Sequence, residues 1–227
     1  MEFHAKSIAV LVPAYNAERS IPELVERVRS AVGNIQIVIV DDGSIDRTND
    51  VAVSSGMVVL RHEKNCGKGA ALQTGFDFLK DRTTCEFIVT IDADLQHQPE
   101  DIPKFIQAQE KNNADIVIGW RNRVGTPMPL HRKFSNTITS TLVGMRTGSN
   151  IKDSQCGFRL IRRSVVERVH LESAGYEAET EFLIKAVRCG FKIDFVPIQT
   201  IYGTEKSYMT HWTTTKNFIK VIVRKYS

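Results

Sequence analysis

Short apolar runs alternate with amphipathic segments through the first half of the chain. Continuous apolar runs predict strands that are buried on both faces of a sheet, at residues 8–12, 35–40, 58–60, 86–91 and 116–118. The segments between them predict helices, at residues 46–55, 69–79 and 99–112 and around the apolar face Ile21, Leu24, Val25, Val28 and Val32. This order predicts an α/β fold with a mostly parallel central sheet and helices on both faces.

Local signals refine two of these helices. Ser20 and Glu23 have the spacing of a capping box, which predicts a helix start at this point. Gly56 follows the second helical segment and is expected to end it, because glycine readily adopts the left-handed conformation of a helix C-terminus.

The pattern changes after residue 120. Residues 120–135 carry three arginines, two prolines and a glycine, a composition typical of a loop. Beyond it we predict helices at 134–145 and 179–189 and a strand at 193–196. The last segment, 212–226, is amphipathic, with an apolar face formed by Trp212, Ile219, Ile222, Val223 and Tyr226.

Composition narrows the class of protein. With 227 residues and 42% hydrophobic content, the chain suits one large domain, or one domain with a short appendage. The net charge of +4 is mild, and we expect no nucleic-acid partner. The four cysteines form no C-x-x-C pair, so neither a zinc site nor a disulfide framework is indicated, and a reduced cytoplasmic protein is expected. No apolar run is long enough to predict a transmembrane helix.

Polar side chains follow each of the first four predicted strands. Asp92, Asp94 and Gln96 come directly after the fourth strand, and their oxygen atoms are the ligands that Mg²⁺ or Mn²⁺ prefers. The other three groups lie at residues 13–16, 41–44 and 65–69. Because ligands bind beyond the carboxyl ends of strands in open α/β sheets, we expect all four groups to converge at one edge.

Other α/β enzyme classes lack their signatures here. A dinucleotide-binding fold places glycines in the first strand-to-helix turn, and this chain has none there. The P-loop pattern G-x-x-x-x-G-K-[ST] and the hydrolase pattern G-x-S-x-G are also absent from the sequence.

The polar segments resemble a known family. Their order and spacing are similar to those of family 2 glycosyltransferases with the GT-A fold, at residues 12–16 (VPAYN), 40–44 (VDDGS), 65–69 (NCGKG) and 92–96 (DADLQ). Later segments resemble the dolichyl-phosphate mannose synthases and their bacterial polyprenyl-phosphate relatives, at residues 115–121 (DIVIGWR), 153–159 (DSQCGFR) and 200–207 (TIYGTEKS).

The resemblance implies roles for individual residues. The donor nucleotide would be bound by Pro13, Tyr15, Asn16, Asp42, Lys68 and Asp92. A Mg²⁺ or Mn²⁺ ion would be held by Asp92, Asp94 and Gln96, where it assists departure of the nucleoside diphosphate. The lipid phosphate would be received by Arg121, Arg132, Ser135 and Asn136. The catalytic set is then Asp92, Asp94, Asp153, Arg121 and Arg132.

The acceptor decides whether a base is needed. A phosphate monoester is largely dianionic at neutral pH and can attack the anomeric carbon unaided, whereas a saccharide hydroxyl needs a carboxylate base. We therefore expect Asp153 to orient other groups rather than to remove a proton. Glu177, Glu179 and Glu181 are interpreted as the solvated start of a helix.

By this resemblance, the sequence predicts an inverting hexosyltransferase that uses GDP-mannose or UDP-glucose and a polyprenyl or dolichyl phosphate. The alternatives are a family 2 transferase with a saccharide acceptor and a non-catalytic nucleotide-sugar binding protein. Residues 1–210 would form the GT-A catalytic domain, and residues 211–227 an amphipathic helix that lies on a membrane surface or packs on the domain. We expect a cytoplasmic protein, peripheral at the membrane face or held there by a membrane partner protein.

Overall fold

The computed structural model describes residues 8–121, 130–201, 211–224 and 226, and for residues 130–135 and 211–216 it describes the backbone alone. Within these residues, no helix combines the length and the apolar character that crossing a bilayer requires.

Seven strands form one sheet in the order β3-β2-β1-β4-β6-β5-β7. They are β1 (Ile8–Ala14), β2 (Gln36–Asp41), β3 (Val58–Arg61), β4 (Phe87–Thr90), β5 (Ile116–Arg121), β6 (Arg159–Arg162) and β7 (Ile193–Ile198). All neighbouring pairs are parallel except the two that involve β6, which is antiparallel to β4 and β5. The prediction of a mostly parallel sheet is confirmed.

The described helices make contacts in two groups, consistent with one layer on each face of the sheet. The helices are α1 (Ile21–Val32), α2 (Thr48–Ser54), α3 (Lys68–Arg82), α4 (Ile102–Asn112), α5 (Leu130–Thr147), α6 (Arg163–Arg168), α7 (Ala178–Arg188) and α8 (His211–Val223). Helix α1 contacts α2 and α4. In the second group, α3 contacts α6 and α7, and α7 contacts α5 and α8, which also contact each other. A short 3₁₀ turn, Pro99–Asp101, precedes α4.

The apolar runs that predicted the strands form the core. Five consecutive residues of β1 and five of β2 are buried, as expected for strands covered on both faces. The buried face of α1 consists of the five residues that its periodicity indicated. Burial of this continuous apolar surface is the main favourable contribution to folding.

Strand β6 and helix α6 are absent from the sequence-based prediction. β6 has only four residues, and arginine stands at both of its ends, so its apolar signal is reduced to Leu160 and Ile161. Arg159 is nevertheless buried, and its guanidinium donates to the carbonyl oxygens of Cys156, Ser154 and Glu179. Hydrogen bonds to main-chain carbonyls, rather than an apolar environment, make its burial acceptable.

Two local predictions are wrong. Helix α5 begins at Leu130, four residues before the predicted start, so part of the predicted loop is helical. The capping box does not form: α1 begins at Ile21 without a side-chain cap, and Ser20 Oγ donates to the Ala17 carbonyl instead. Trp120 and Arg121, at the start of the predicted loop, belong to β5, and residues 122–129 lie outside the described residues.

Helix α8 packs on α7 and α5 through a face that shares Tyr226 with the predicted one but is otherwise different. The side chain of Trp212, also part of the predicted face, lies outside the described residues. Phe218 and Val221 are buried, together with Tyr226 just beyond the helix. Ile219 and Val223 are exposed, at 55% and 69%. The helix therefore packs on the domain and also carries apolar side chains that face solvent.

Gly43, directly after Asp42, provides a test of backbone packing beside the predicted nucleoside site. Its φ is +70°, and an added Cβ would lie 2.3 Å from the Lys64 carbonyl carbon. Gly56 has φ +74°, but its added Cβ would have open space. We expect Gly56→Ala to lower the unfolding free energy by about 1 kcal/mol, because alanine is strained at a positive φ. Gly43→Ala should lower it by about 2 kcal/mol more, because a clash with the Lys64 backbone adds to the strain of the positive φ. Denaturant unfolding measures both, and equal losses would contradict the clash.

Candidate functional site

The turns after β1 and β2 are bonded to each other. Ser44 Oγ accepts the Asn16 backbone N–H (2.9 Å), and Asn16 Oδ1 accepts the Ile45 N–H (3.0 Å). Asn16 has φ +51°, a left-handed conformation that asparagine tolerates better than most residues. Two of the four predicted polar groups therefore meet, with Pro13 at the end of β1 and Tyr15 in the same turn.

Asp42 connects this pair of turns to the start of α3. Its Oδ1 accepts the Cys66 N–H and its Oδ2 the Gly67 N–H, both at 2.8 Å. His62 Nδ1 lies 2.7 Å from Asp42 Oδ1, and its Nε2 lies 2.9 Å from Thr74 Oγ1. Three strand ends thus converge at one edge, as predicted.

The same neighbourhood contains a set of groups that could approach a metal ion. Ligand atoms of Asp42, His62 and Cys66 lie within 4.8 Å of one another. Asp42 already accepts two main-chain N–H groups, however, and both ring nitrogens of His62 are engaged. The hydrogen bonds account for this cluster as a structural connection between β2 and α3.

The fourth polar group forms a tight turn after β4. Asp94 Oδ1 accepts the Gln96 N–H (3.0 Å), and Leu95 between them has φ +58°. The turn thereby brings Asp92, Asp94 and Gln96 into one short segment, and the Asp92 side chain remains 24% exposed. Two carboxylates and an amide oxygen are a suitable donor set for Mg²⁺ or Mn²⁺, so the residues fit the ion that the sequence predicts.

Lys68 contacts this turn from the first residue of α3. Its Nζ lies 2.6 Å from Asp92 Oδ1 and 2.6 Å from Glu179 Oε1. Burial alone would lower the Lys68 pKa, but the charges of Asp92 and Glu179 outweigh it and raise the pKa. Lys68 is therefore an ammonium at any physiological pH.

The interpretation of the α7 acidic residues as a solvated helix start is wrong. Glu177, Glu179 and Glu181 are all buried. Glu181 accepts the N–H groups of Glu172 and Ser173, and Lys185 lies 2.7 Å from it. The spacing of Glu181 and Lys185 is a local signal for one of these contacts, whereas the partner of Glu179, Lys68, lies far away in the sequence.

Asp153 and Arg121 form a second charged pair at this edge. Arg121 Nε donates to Asp153 Oδ2 (2.8 Å) and Arg121 Nη2 to Oδ1 (3.0 Å), the bidentate geometry of a strong pair. Burial would raise the Asp153 pKa, but the Arg121 charge and its hydrogen bonds outweigh burial and lower it. Asn136 is buried and contributes a hydrogen bond to the same carboxylate.

Two predicted acceptor residues are located only through their backbone. Arg132 and Ser135 lie in the first two turns of α5, and their side chains lie outside the described residues. Most of the segment 200–207, part of the lipid-phosphate resemblance, is also outside them.

His97 is a further buried group that sequence reasoning did not select. It follows Gln96, packs beside Phe158 with ring centroids 5.6 Å apart, and is 5% exposed. Burial lowers its pKa to about 4, although the nearby Asp92 charge acts in the opposite direction. The signal in the sequence that could have identified His97 as a site residue is its position directly after the predicted metal-binding turn.

Comparisons with known proteins agree with this arrangement. The model of Glycosyl transferase family 2 matches residues 9–169. A dolichol-phosphate mannosyltransferase of Pyrococcus furiosus is 36% identical, over 78% of this chain and 52% of its own. A UDP-N-acetylglucosamine–dolichyl-phosphate N-acetylglucosaminyltransferase of Methanococcus voltae is 32% identical, over 87% of this chain and 86% of its own.

A solved structure is similar in fold. Glucosyl-3-phosphoglycerate synthase of Mycobacterium tuberculosis, in complex with Mn²⁺, UDP and phosphoglyceric acid, superposes with a TM-score of 0.77. It is 21% identical and covers 96% of this chain and 78% of its own. This likeness confirms the GT-A-like fold that the sequence predicted.

The Arg121–Asp153 pair yields a pH-dependent prediction. Asp153→Asn leaves the Arg121 guanidinium, whose side chain is 20% exposed, without its charged partner, and we expect a loss of about 2 kcal/mol of unfolding free energy at pH 7. A carboxyl group whose pKa is lower in the folded protein stabilises the folded state at pH values above its ordinary pKa of 3.8. The difference between wild type and variant should therefore persist at pH 5 and shrink as the pH falls below about 4.

Denaturant unfolding across this pH range is the measurement. Asp77→Asn is the matched control, because its ion pair with Lys80 is exposed and should contribute less than about 0.5 kcal/mol. A wild-type–Asp153→Asn difference that does not change with pH would show that the loss in the variant does not come from removing the charge of Asp153.

Proposed function

Because the chain belongs to glycosyltransferase family 2, we propose that it transfers a hexose from a nucleotide sugar to a polyprenyl or dolichyl phosphate, with inversion at the anomeric carbon. Relatives that share about a third of the sequence carry out glycosyl transfer to lipid phosphates, as their names state. Their donors differ, and for this chain we take GDP-mannose and UDP-glucose as the leading candidates.

One observation carries the proposal beyond family membership. Arg121 is held by Asp153 at the site edge, and its charge also acts on Asp92, so the predicted donor and acceptor regions are electrostatic neighbours. A fixed guanidinium at this place suits a phosphate, which it can bind through two hydrogen bonds. A phosphate acceptor would bring its own negative charge to the anomeric carbon.

The donor side is assigned as follows. Pro13, Tyr15, Asn16 and Asp42 would bind the nucleoside at the converging turns of β1 and β2. Asp92, Asp94 and Gln96 would hold Mg²⁺ or Mn²⁺, which when bound supplies Lewis-acid stabilisation of the departing diphosphate. Lys68 adds a fixed positive charge beside the same turn.

Asp153 is a weak candidate for a general base. Its lowered pKa means that the carboxylate holds a proton poorly, and both of its oxygens are engaged by Arg121. We therefore assign Asp153 the task of orienting Arg121. Asn136 is buried against this carboxylate, which favours support of Asp153 over direct contact with the acceptor. Arg132 and Ser135 remain acceptor residues in this proposal.

Membrane contact is proposed for the α5–α8 surface. Exposed apolar side chains lie on α5 (Ile138, Leu142 and Met145) and on α8 (Ile219 and Val223). The two helices meet where Arg146 donates to the Ile222 and Arg224 carbonyl oxygens. Apolar side chains with neighbouring basic residues suit a peripheral position at the cytoplasmic face, alone or with a membrane partner protein.

The test is a transfer assay with radiolabelled GDP-mannose and UDP-glucose, a short polyprenyl phosphate, and Mg²⁺ or Mn²⁺. We expect label from one donor to enter the organic phase and EDTA to abolish this transfer. Asp94→Asn should lower the rate about 100-fold, because it removes an interaction aimed at the charge that develops on the leaving group.

Glu100→Gln is the control and should leave the rate unchanged. This exposed carboxylate pairs with Arg27 of α1, which lies in the group of helices that does not include α3 and α7. Label that stays in the aqueous phase, with nucleoside diphosphate released only when a soluble glycan is added, would replace the lipid acceptor by a saccharide. Donor binding without turnover on any acceptor would instead indicate a binding protein.

A further inference from the structure

Glu179 occupies an unusual position for a carboxylate near a helix N-terminus. Its side chain is only 6% exposed, and its Oε1 lies 2.6 Å from Lys68 Nζ. Its main chain is fixed as well, because Arg159 Nη1 donates to the Glu179 carbonyl oxygen (3.0 Å). A buried carboxylate held in this way must be compensated by its ammonium partner.

Lys68 has two carboxylate partners of similar closeness. Asp92 Oδ1 and Glu179 Oε1 each lie 2.6 Å from its Nζ, and the lysine side chain is 15% exposed. The ring centroid of Tyr176 is 6.0 Å from the same nitrogen. The ammonium can therefore lose one carboxylate contact and still keep the other.

Gly157 provides the space in which these groups meet. A Cβ at this position would lie 2.7 Å from Glu179 Oε1, 2.8 Å from Lys68 Nζ and 3.0 Å from Asp92 Oδ2. Glycine at this position, two residues before β6, therefore leaves the space that the three charged ends occupy, and any larger residue would displace them. The cluster is a built arrangement, with contributions from α3, the turn after β4, and α7.

Asp92 is consequently a partner for two cations, the Lys68 ammonium and the proposed divalent ion. The Lys68 ammonium contacts its Oδ1, and the proposed divalent ion needs a carboxylate oxygen of the same residue. The two positive charges repel at such short range, particularly where water is largely excluded. Binding of the ion therefore requires the ammonium to move away from Asp92 or a further negative charge to arrive.

We propose that Lys68 is an internal counter-cation of Asp92, that the divalent ion and the donor diphosphate together displace it, and that Glu179 is the positioning residue that retains it. On displacement, the ammonium stays paired with Glu179 and turns towards the diphosphate. The inference rests on the proposed function only in taking Asp92 as a metal ligand and a nucleoside diphosphate as part of the donor.

This arrangement makes metal and donor binding mutually dependent. A diphosphate that draws Lys68 from Asp92 raises the affinity for the ion, and by reciprocity the ion raises the affinity for the diphosphate by the same factor. A diphosphate that coordinates the ion gives some coupling by itself. The decisive quantity is therefore the affinity for the ion alone.

The experiment measures Mn²⁺ binding by electron paramagnetic resonance, with the full chain and without acceptor lipid. Lys68→Met should bind Mn²⁺ about tenfold more tightly than wild type, because the competing ammonium is gone. Glu179→Gln should bind it at least about threefold more weakly, because Lys68 then pairs with Asp92 alone. Adding UDP or GDP should strengthen Mn²⁺ binding more in wild type than in Lys68→Met.

Two further variants keep the test decisive. The double variant Lys68→Met with Glu179→Gln preserves net charge and leaves no extra buried carboxylate, so it should fold even where Lys68→Met does not, and should also bind Mn²⁺ more tightly than wild type. Lys80→Met is the control, since this lysine lies on the same helix in an exposed pair with Asp77 and should leave Mn²⁺ binding unchanged.

Unchanged or weaker Mn²⁺ binding in the double variant would overturn the proposal, as would tighter binding in Glu179→Gln. If Lys68 had a purely structural role, the double variant would bind Mn²⁺ no more tightly than wild type. Failure of the proposed function is distinguishable from failure of this inference. If Mn²⁺ binding changes as expected but no sugar is transferred to a lipid phosphate, the role of Lys68 as a counter-cation is retained and the lipid-phosphate acceptor is rejected.

Discussion

The shared carboxyl edge of the parallel strands is the constraint on which the site depends. β2, β1 and β4 are adjacent and parallel, so the segments that follow them emerge side by side. Beyond the sheet, their polar main-chain groups need other partners, and they find them in one another. Asp42 accepts N–H groups from the start of α3, while Asn16 and Ser44 connect the first two turns. The polar residues that would bind a donor thus also hold the edge together.

The antiparallel strand β6 completes this edge from the opposite direction. Because β6 runs against β4 and β5, the residues that precede it lie where those two strands end. Asp153 is therefore brought to Arg121, the last residue of β5, and Gly157 to the turn that contains Asp92. A parallel strand at this position would have placed the same residues at the far edge of the sheet. The single reversal in the topology joins the predicted acceptor side to the donor side.

The sequence predicts the parts of this structure that have local patterns. Buried strands and amphipathic helices are visible because apolar residues recur with the period of each element, and most of their positions are correct. β6 was missed because its four residues leave too short a pattern, and the arginines at its ends resemble a surface segment. The burial of Glu179 was missed for a different reason: its partner Lys68 lies more than a hundred residues earlier, and a pairing at that distance has no signal in one sequence. Arg121 and Asp153 were selected by resemblance, yet their mutual contact also appeared only in three dimensions.

Lys68 and Arg121 are paired with carboxylates before any substrate arrives, and this pairing has a physical consequence. The free energy of desolvating a buried ion pair offsets much of the attraction between its charges. Arg121–Asp153 and the Lys68 cluster are therefore poor explanations for the stability of the fold. They are better understood as holding two cations in place at the edge where we propose that phosphates bind. A phosphate that enters exchanges one anionic partner for another, so the site need not first strip water from an exposed ammonium or guanidinium. Because the cations are already oriented, less of the binding energy is lost in ordering them. The geometry therefore favours ligands that carry their own negative charge on both sides of the Asp92 turn: a diphosphate at Lys68 and a phosphate at Arg121.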